Sequence, residues 1–336
     1  MNWTPPEKVL ITGGHEVGGL QSFAEALQLG FGELGYPAEI VSPAALLSCT
    51  SDLRSRRVLK ILSTTGMFAA PLARRAICMM HATFLVYDKG WSNTLALLSC
   101  YKMANLCSAQ LVAVSDYLAV HMRAFYGIKV DAVVRNPVKP LYLSSSDDSG
   151  VQRNYITYVG RLAAYKNLDR IVSPIVDLLN ENPTLKACII GDGPERGRLQ
   201  KLAGGHPRLA FEGELDDLDV KQRLGRTKVF ISGHPTEGFG IAYVEALSQG
   251  CVVAMPGSGG GIEIALDRVG ESVQLLPISL DRQGVLAVLR RALTIRPSSL
   301  PIECYSARNV ALSYLDVDHR FFTQPATRTQ AAQAYD

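Results

Sequence analysis

The stretch VLITGGHEVGGLQSFAEALQLGFGELGYPAEIVS (9–42) decides how the rest of the chain is read. Four apolar residues, VLIT (9–12), precede SFAEALQLGFGELG (22–35), which is apolar at helical spacing, and AEIVS (38–42) follows. A strand apolar on both faces, a helix and a second strand make the repeating unit of a parallel sheet covered by helices. Similar short runs return as AICMMH (76–81), LVAVS (111–115), YITYVG (155–160), ACIIG (187–191), KVFIS (228–232) and CVVAM (251–255). The expected fold class is α/β.

At 336 residues the chain suits two domains better than one core. NPVKPLYLSSSDDSGVQRN (136–154), with two prolines and a Ser/Asp cluster, reads as a linker, and the boundary is placed near residue 145. With 47% apolar and 19% charged residues, the composition is that of a folded globular protein. No apolar run reaches the roughly 18 to 20 residues of a membrane helix, and MNWTPPEKVLITGG lacks the order of a signal peptide. A cytoplasmic location is expected. Seven cysteines (49, 78, 100, 107, 188, 251 and 304) form no CxxC pair and lie mostly in apolar stretches, as reduced core residues do.

The net charge of +3 comes from the N-terminal part: residues 1–140 carry 13 Lys/Arg against 9 Asp/Glu, the remainder 21 against 22. Arg54, Arg56, Arg57, Lys60, Arg74 and Arg75 concentrate that excess and can face an anionic membrane or a phosphate-bearing substrate, or form a solvated face. The surplus is too small, and too poor in interleaved aromatics, for nucleic-acid binding.

KVFISGHPTEGFGIAYVEALSQG (228–250) carries the densest chemistry: a buried strand, a Gly/Pro-rich loop, and a helix expected from about Phe239 to a stop at Gly250. In open α/β sheets ligands gather at the carboxyl ends of strands, where helix N-termini offer N–H groups to anions. Gly238 and Gly240 clear side chains from that approach, so a diphosphate can reach the backbone. Glu237 then stands just before the helix and Glu245 two turns along it. A carboxylate accepts hydrogen bonds from two neighbouring hydroxyls, as on a sugar or a ribose. Taken alone, a helix-terminal acid and an exposed mid-helix acid would look the same.

YVGRLAAYKN (158–167) follows another strand, and its Arg161 and Lys166 can converge on a diphosphate and neutralise it as it leaves. Two exposed cations are the plainer alternative. IIGDGPERGRLQKLA (189–203) has G-x-G after a strand and Pro194 in the first turn of a helix. Its third glycine, Gly197, falls one residue late for a dinucleotide site, which argues against NAD(P). In GGHEVGGLQSFAEAL (13–27), Gly18 and Gly19 let backbone approach a ligand lying across an interdomain cleft. His81 ends the strand in MMHATF and points to the same cleft or serves the core. Asp217 and Asp219 read as N-cap chemistry rather than as a metal pair.

In chain order these pieces are GGHEVGG, a strand-terminal His, NPV, GRL…KN, GDGP, an E-x7-E loop and helix, and GGGIEIA (259–265). Over essentially the whole chain this order resembles family 4 of the retaining glycosyltransferases. The resemblance implies the GT-B fold, two Rossmann-like parallel-sheet domains facing across a cleft. Residues 1–145 would bind the acceptor and 146–304 the nucleotide-sugar; 305–322 would return as a helix to the first domain, ahead of a polar tail, 323–336. It implies that Arg161 and Lys166 hold the diphosphate, that Glu245 bonds the ribose, and that Glu237 and His81 lie by the donor sugar. Glu237, Arg161, Lys166 and His81 are the expected catalytic set, with Gly18, Gly19, Gly160, Gly238, Phe239 and Gly240 around the donor.

The implied reaction moves one sugar, with retention, from a UDP- or GDP-linked donor to a lipid-linked or glycan acceptor in surface polysaccharide or glycoconjugate assembly. The donor's own phosphate oxygen would take the acceptor proton, and neither metal nor other cofactor is expected. An epimerase, a phosphorylase or a non-catalytic partner of another transferase are the alternatives. Two departures touch the sugar pocket and leave the donor open: His234 stands where the family commonly has Ser, and GGGIEIA lacks the proline of the GGIPE variant.

Overall fold

The computed structural model describes residues 3–13, 19–82, 90–107, 109–144, 152–266, 271–296 and 302–323. The chain forms two compact units, Met1–His81 with Trp91–Pro137 and Cys304–Asp336, and Ala82–Gly90 with Val138–Glu303.

The first unit runs β1 (Lys8–Thr12), α1 (Gly19–Glu33), β2 (Ala38–Val41), α2 (Pro43–Leu46), α3 (Thr50–Arg54), β3 (Val58–Ser63), β4 (Ala76–Met80), α4 (Gly90–Leu106), β5 (Gln110–Ala113), α5 (Asp116–Tyr126) and β6 (Ala132–Val133). Its six strands are all parallel, in the order β2-β1-β3-β4-β5-β6. The 9–42 reading holds: β1, α1 and β2 form a βαβ unit, and α1 buries Phe23, Ala24, Ala26, Leu27 and Phe31. The last helix of the chain also belongs to this unit. It packs on α1 at Gly30, where a Cβ would overlap the carbonyl of Ala307.

The second unit runs β7 (Tyr155–Val159), α6 (Leu168–Glu181), β8 (Lys186–Ile190), α7 (Arg196–Leu202), β9 (Leu209–Gly213), α8 (Asp217–Gly225), β10 (Thr227–Ile231), α9 (Ile241–Ser248), β11 (Val252–Pro256), α10 (Gly261–Ala265), β12 (Val273–Leu276) and α11 (Arg282–Thr294). α12 (Ala307–Thr323) then returns to the first unit. The second sheet is again six parallel strands, in the order β12-β11-β10-β7-β8-β9. From β7 the chain steps outward through β8 and β9, then restarts on the other side at β10. The sheet thus has a switch point between β7 and β10, and ligands of such sheets lie at the carboxyl ends beside it.

Two parallel α/β sheets are the architecture expected of GT-B. Four strands were not legible as runs: β3, β6, β9 and β12. β3, VLKILS, has every residue buried, and Lys60 within it is 0% exposed. Its Nζ donates to the carbonyls of Ser55 (2.5 Å) and Val58 (2.8 Å). Two of the cations expected at the surface are therefore inside. Arg75, 4% exposed, lies 2.5 Å from Asp318 of α12, a partner 243 residues away that a local charge count does not see. Arg54, Arg56, Arg57 and Arg74 remain exposed. All seven cysteines are free thiols; Cys78, Cys100, Cys188 and Cys251 are buried, Cys49 and Cys107 half-buried, and Cys304 exposed rather than in the core. Among the described residues no helix is long and apolar enough to cross a membrane.

Candidate functional site

The loops after β7 and β10 meet at the switch point of the second sheet. After β7, residues Ala164–Lys166 make a single 3-10 turn, and Asn167 takes φ 52° to start α6. The Asn167 side-chain amide donates to the carbonyl of Gly233 at 3.1 Å, tying one loop to the other. Lys166 Nζ then reaches Glu237 Oε2 at 2.8 Å, with the side chains 17% and 25% exposed. Burial pushes the Glu237 carboxyl up, but the Lys166 charge and the N–H of Gly238 outweigh it and hold it below the usual carboxylate range. The pair is charged, directional and partly open to solvent.

The peptide of Glu237 is itself fixed. Its carbonyl accepts from the N–H of Gly260 at 2.7 Å, and Ser258 Oγ donates to the carbonyl of Pro235 at 2.7 Å. A Cβ at Gly259 would press on the Glu237 backbone. The sequence showed GGGIEIA as a motif without showing that its first glycines brace the acid. The helix expected from Phe239 starts two residues later, at Ile241, because Gly240 caps it with φ 91°. Phe239 is 1% exposed, so it belongs to the core of the second unit rather than to the surface around a donor. At the far end, Gly250 N–H bonds the Leu247 carbonyl and Cys251 N–H that of Ala246, the five-to-two and six-to-one bonds that end a helix at a glycine.

Glu245 lies half-buried on α9. Burial, and then the charge of Asp217, raise its carboxyl to about 7, with Lys139 opposing. Lys139 pairs with Asp217 at 2.5 Å. Asp217 is thus an ion-pair partner, and the N-cap of α8 is Asp216, whose side chain accepts from the N–H of Asp219 at 2.8 Å. His234, three residues before Glu237, packs edge-on against Tyr165 at 5.1 Å, and Lys166 Nζ sits 5.2 Å from the centre of the same Tyr165 ring.

Arg161 is exposed, and among the described residues no hydrogen bond or ion pair engages its side chain. Its loop is held by the Tyr158 hydroxyl, which donates to the Arg161 carbonyl at 3.0 Å, and by the neighbouring GDGP turn. Leu162 N–H donates to the Asp192 carbonyl at 2.8 Å, and Glu195 N–H to the Leu162 carbonyl at 3.0 Å. A Cβ at Gly191 or Gly193 would overlap the carbonyls of Gly160 and Leu162 respectively. Those glycines therefore let two loops touch instead of cradling a dinucleotide, and α7 starts only at Arg196, after Pro194. Gly160 has φ 149°, and a Cβ there would lie 2.9 Å from the Tyr158 hydroxyl.

The remaining candidates belong to the first unit. Gly19 opens α1 and is exposed; Gly18 lies outside the described residues. His81 follows β4 directly, with its ring 4.5 Å from Phe23 and its Nε2 buried without a hydrogen-bond partner. Burial lowers its pKa to about 4, against the influence of Asn136, so the ring is neutral near pH 7. Among the described residues no group of three or more His, Cys, Asp or Glu is placed to hold a metal ion.

Residues 145–273, which contain β7 through the start of β12, match the family described as Glycosyl transferases group 1. One subunit of the phosphatidylinositol N-acetylglucosaminyltransferase of Homo sapiens is 28% identical over 182 residues, 52% of this chain and 35% of that protein. The GDP-mannose-dependent alpha-(1-6)-phosphatidylinositol dimannoside mannosyltransferase of Mycobacterium tuberculosis is 32% identical over 96 residues, 28% of this chain and 25% of that one. The matched stretches thus span about a third or less of those relatives. Among solved structures, Anabaena Alr3699/HepE in complex with UDP and glucose superposes with a TM-score of 0.68 at 14% identity, over 94% of this chain and 98% of that one. AviGT4, involved in avilamycin A biosynthesis, gives 0.66 at 16% identity, over 95% and 99%. At such identities the likeness is one of fold.

Proposed function

We propose, from the premise that this chain carries a group 1 glycosyl transferase domain, that it moves a single sugar, with retention, from a UDP- or GDP-linked donor to a lipid-linked or glycan acceptor. The observation that carries this reading is the Lys166–Glu237 pair at the β7/β10 switch point, with Arg161 open on the same loop and Glu245 about one turn into α9. Arg161 and Lys166 supply positive charge for a departing nucleoside diphosphate, the kind of preset electrostatic stabilisation that lowers the barrier of group transfer. Glu237 accepts from hydroxyls of the sugar, and Glu245 from those of the ribose. The complex of HepE with UDP and glucose, and the sugar-nucleotide names of the relatives, support a nucleotide-sugar donor.

Calorimetric titration with UDP-, GDP- and ADP-sugars tests the donor. One nucleotide series should bind, and Glu245→Ala should weaken it roughly tenfold to a hundredfold, the range of a hydrogen bond to a charged group. Because burial raises the Glu245 carboxyl to about 7, the charged acceptor of the ribose hydroxyls gives way below that pH to a neutral carboxyl, which accepts more weakly. Binding should rise with pH through about 7 in the wild type and stay flat in Glu245→Gln. Failure of all three series to bind would remove the reading. The anomeric configuration of the product, followed by NMR, tests retention. The exposed Arg54, Arg56, Arg57 and Arg74 support peripheral contact with an anionic membrane. Sedimentation with anionic vesicles should be lost when Arg54, Arg56 and Arg57 are changed to Glu.

A further inference from the structure

His234 is the side chain of the β10–α9 loop that neither the diphosphate nor the ribose uses. Its Nδ1 is buried and has no hydrogen-bond partner. The ring meets Tyr165 in a T-shaped contact at 5.1 Å, and Tyr165 in turn carries Lys166 against its ring at 5.2 Å. Glu237, three residues on, takes the Lys166 ammonium. Burial and the Lys166 charge lower the imidazole to about 4, with Glu237 opposing, so the ring is neutral in ordinary buffers.

Buried polar atoms in folded proteins are almost always satisfied, and an orphan beside a ligand site is a place where a ligand completes the count. The charge of this ring selects the ligand group. A phosphate oxygen is served by Lys166 and Arg161, and a neutral imidazole adds little to them. A hydroxyl is uncharged and both donates and accepts, so it suits either tautomer of the ring. The same loop already places Glu237 where the donor sugar is read. We propose that His234 is a specificity-determining residue for the transferred sugar, its ring nitrogen hydrogen-bonding one hydroxyl of that sugar beside Glu237. This rests on the donor reading of the site and deepens it, since it assigns the choice among sugars to a residue other than the two glutamates.

The test separates the nucleotide from its sugar. The full chain and its variants His234→Phe, His234→Ala and His234→Asn are titrated with UDP, GDP, UDP-glucose, UDP-galactose, UDP-N-acetylglucosamine and GDP-mannose, with unfolding midpoints measured alongside. His234→Phe keeps a ring against Tyr165 but has no ring nitrogen. It should bind the free nucleotide within about twofold of the wild type, and the preferred nucleotide-sugar at least about tenfold more weakly, as sites built to bond a hydroxyl do when the bond is lost. Preference among sugars should flatten. His234→Ala should show the same split, and His234→Asn, which keeps a donor and an acceptor, should recover part of it. Equal weakening of nucleotide and nucleotide-sugar, or no change in either, overturns the proposal. A wild type that binds nucleotides but no nucleotide-sugar also overturns it, whereas a wild type that binds neither overturns the donor reading beneath it.

Discussion

Two ion pairs of similar length do opposite work in the two units. Arg75–Asp318 is 2.5 Å long with both side chains 3% exposed, and Lys166–Glu237 is 2.8 Å long at 17% and 25%. The first pair is closed on all sides: Arg75 also donates to the carbonyls of Arg56 and Thr4, and Asp318 also accepts from Trp3 Nε1 at 2.7 Å. The second pair sits between two loops at a sheet switch point, with His234 unsatisfied beside it. A buried pair that is fully coordinated is a fastener, because no further group can approach. A pair left partly open, with spare acceptors and donors around it, is a place to receive one. Burial and completeness of hydrogen bonding, more than the identity of the charges, separate the fastener from the candidate site.

The largest expected effect breaks the fastener. Arg75→Ala strands the Asp318 carboxylate in the core, and losing one partner of a buried pair costs about 3–5 kcal/mol. Both tryptophans, Trp3 and Trp91, lie in the first unit, so the urea midpoint followed by tryptophan emission reports this loss. The double change Arg75→Met with Asp318→Leu should recover most of it. If the single variant is as stable as the wild type, the pair is no fastener.

Lys60 sharpens the contrast, because it is a buried cation bonded to carbonyls and to no carboxylate. Burial lowers its pKa to about 8, partly opposed by Asp52. Its folded value lies below its unfolded one, so the folded state is penalised while the amine is charged. Stability should therefore rise as pH climbs from about 8 to 10.5, by up to about 3 kcal/mol at 1.36 kcal/mol per pH unit. Lys60→Met should abolish that rise in urea titrations at pH 7 and pH 10. A slope that persists in the variant assigns the effect elsewhere.

The smallest effect on stability belongs to the open pair. Lys166→Ala should change the unfolding midpoint little, since Glu237 keeps contact with water, while donor affinity falls roughly tenfold to a hundredfold. The acidic limb of the pH–rate profile should also move upward, because Lys166 helps hold the Glu237 carboxyl low. A loss of stability comparable to that of Arg75→Ala would erase the distinction between the two pairs.

The strands legible as runs are mainly apolar, even where one residue is charged, as Glu39 is in β2 and Lys228 in β10. β3 was not, because Lys60 in its centre looks like a surface charge until the carbonyls that receive it are seen. β6 has two residues, and β9 (LAFEG) includes a glutamate, Glu212, which Arg223 meets at 2.7 Å from α8. At the candidate site the loop residues could be read from spacing, because glycines, acids and cations cluster in two short segments. What spacing hid was support. Ser258 and Gly260 hold the peptides around Glu237 from about twenty residues further on, and the GDGP glycines brace Arg161's loop while imitating a cofactor motif. Pairings of that kind depend on which strand ends meet, and a linear pattern does not contain them.

The fastener also sets an order of events during synthesis. Arg75 emerges early, yet its carboxylate is translated 243 residues later, after the whole second unit. At about 5–20 residues per second the guanidinium waits roughly 10–50 s for its partner. The second unit can complete its sheet in that interval, whereas the first can close only when α12 arrives. Of the two units, the one translated earlier is therefore the one that finishes later, and a ribosome stalled anywhere between Arg75 and Asp318 leaves it unsealed.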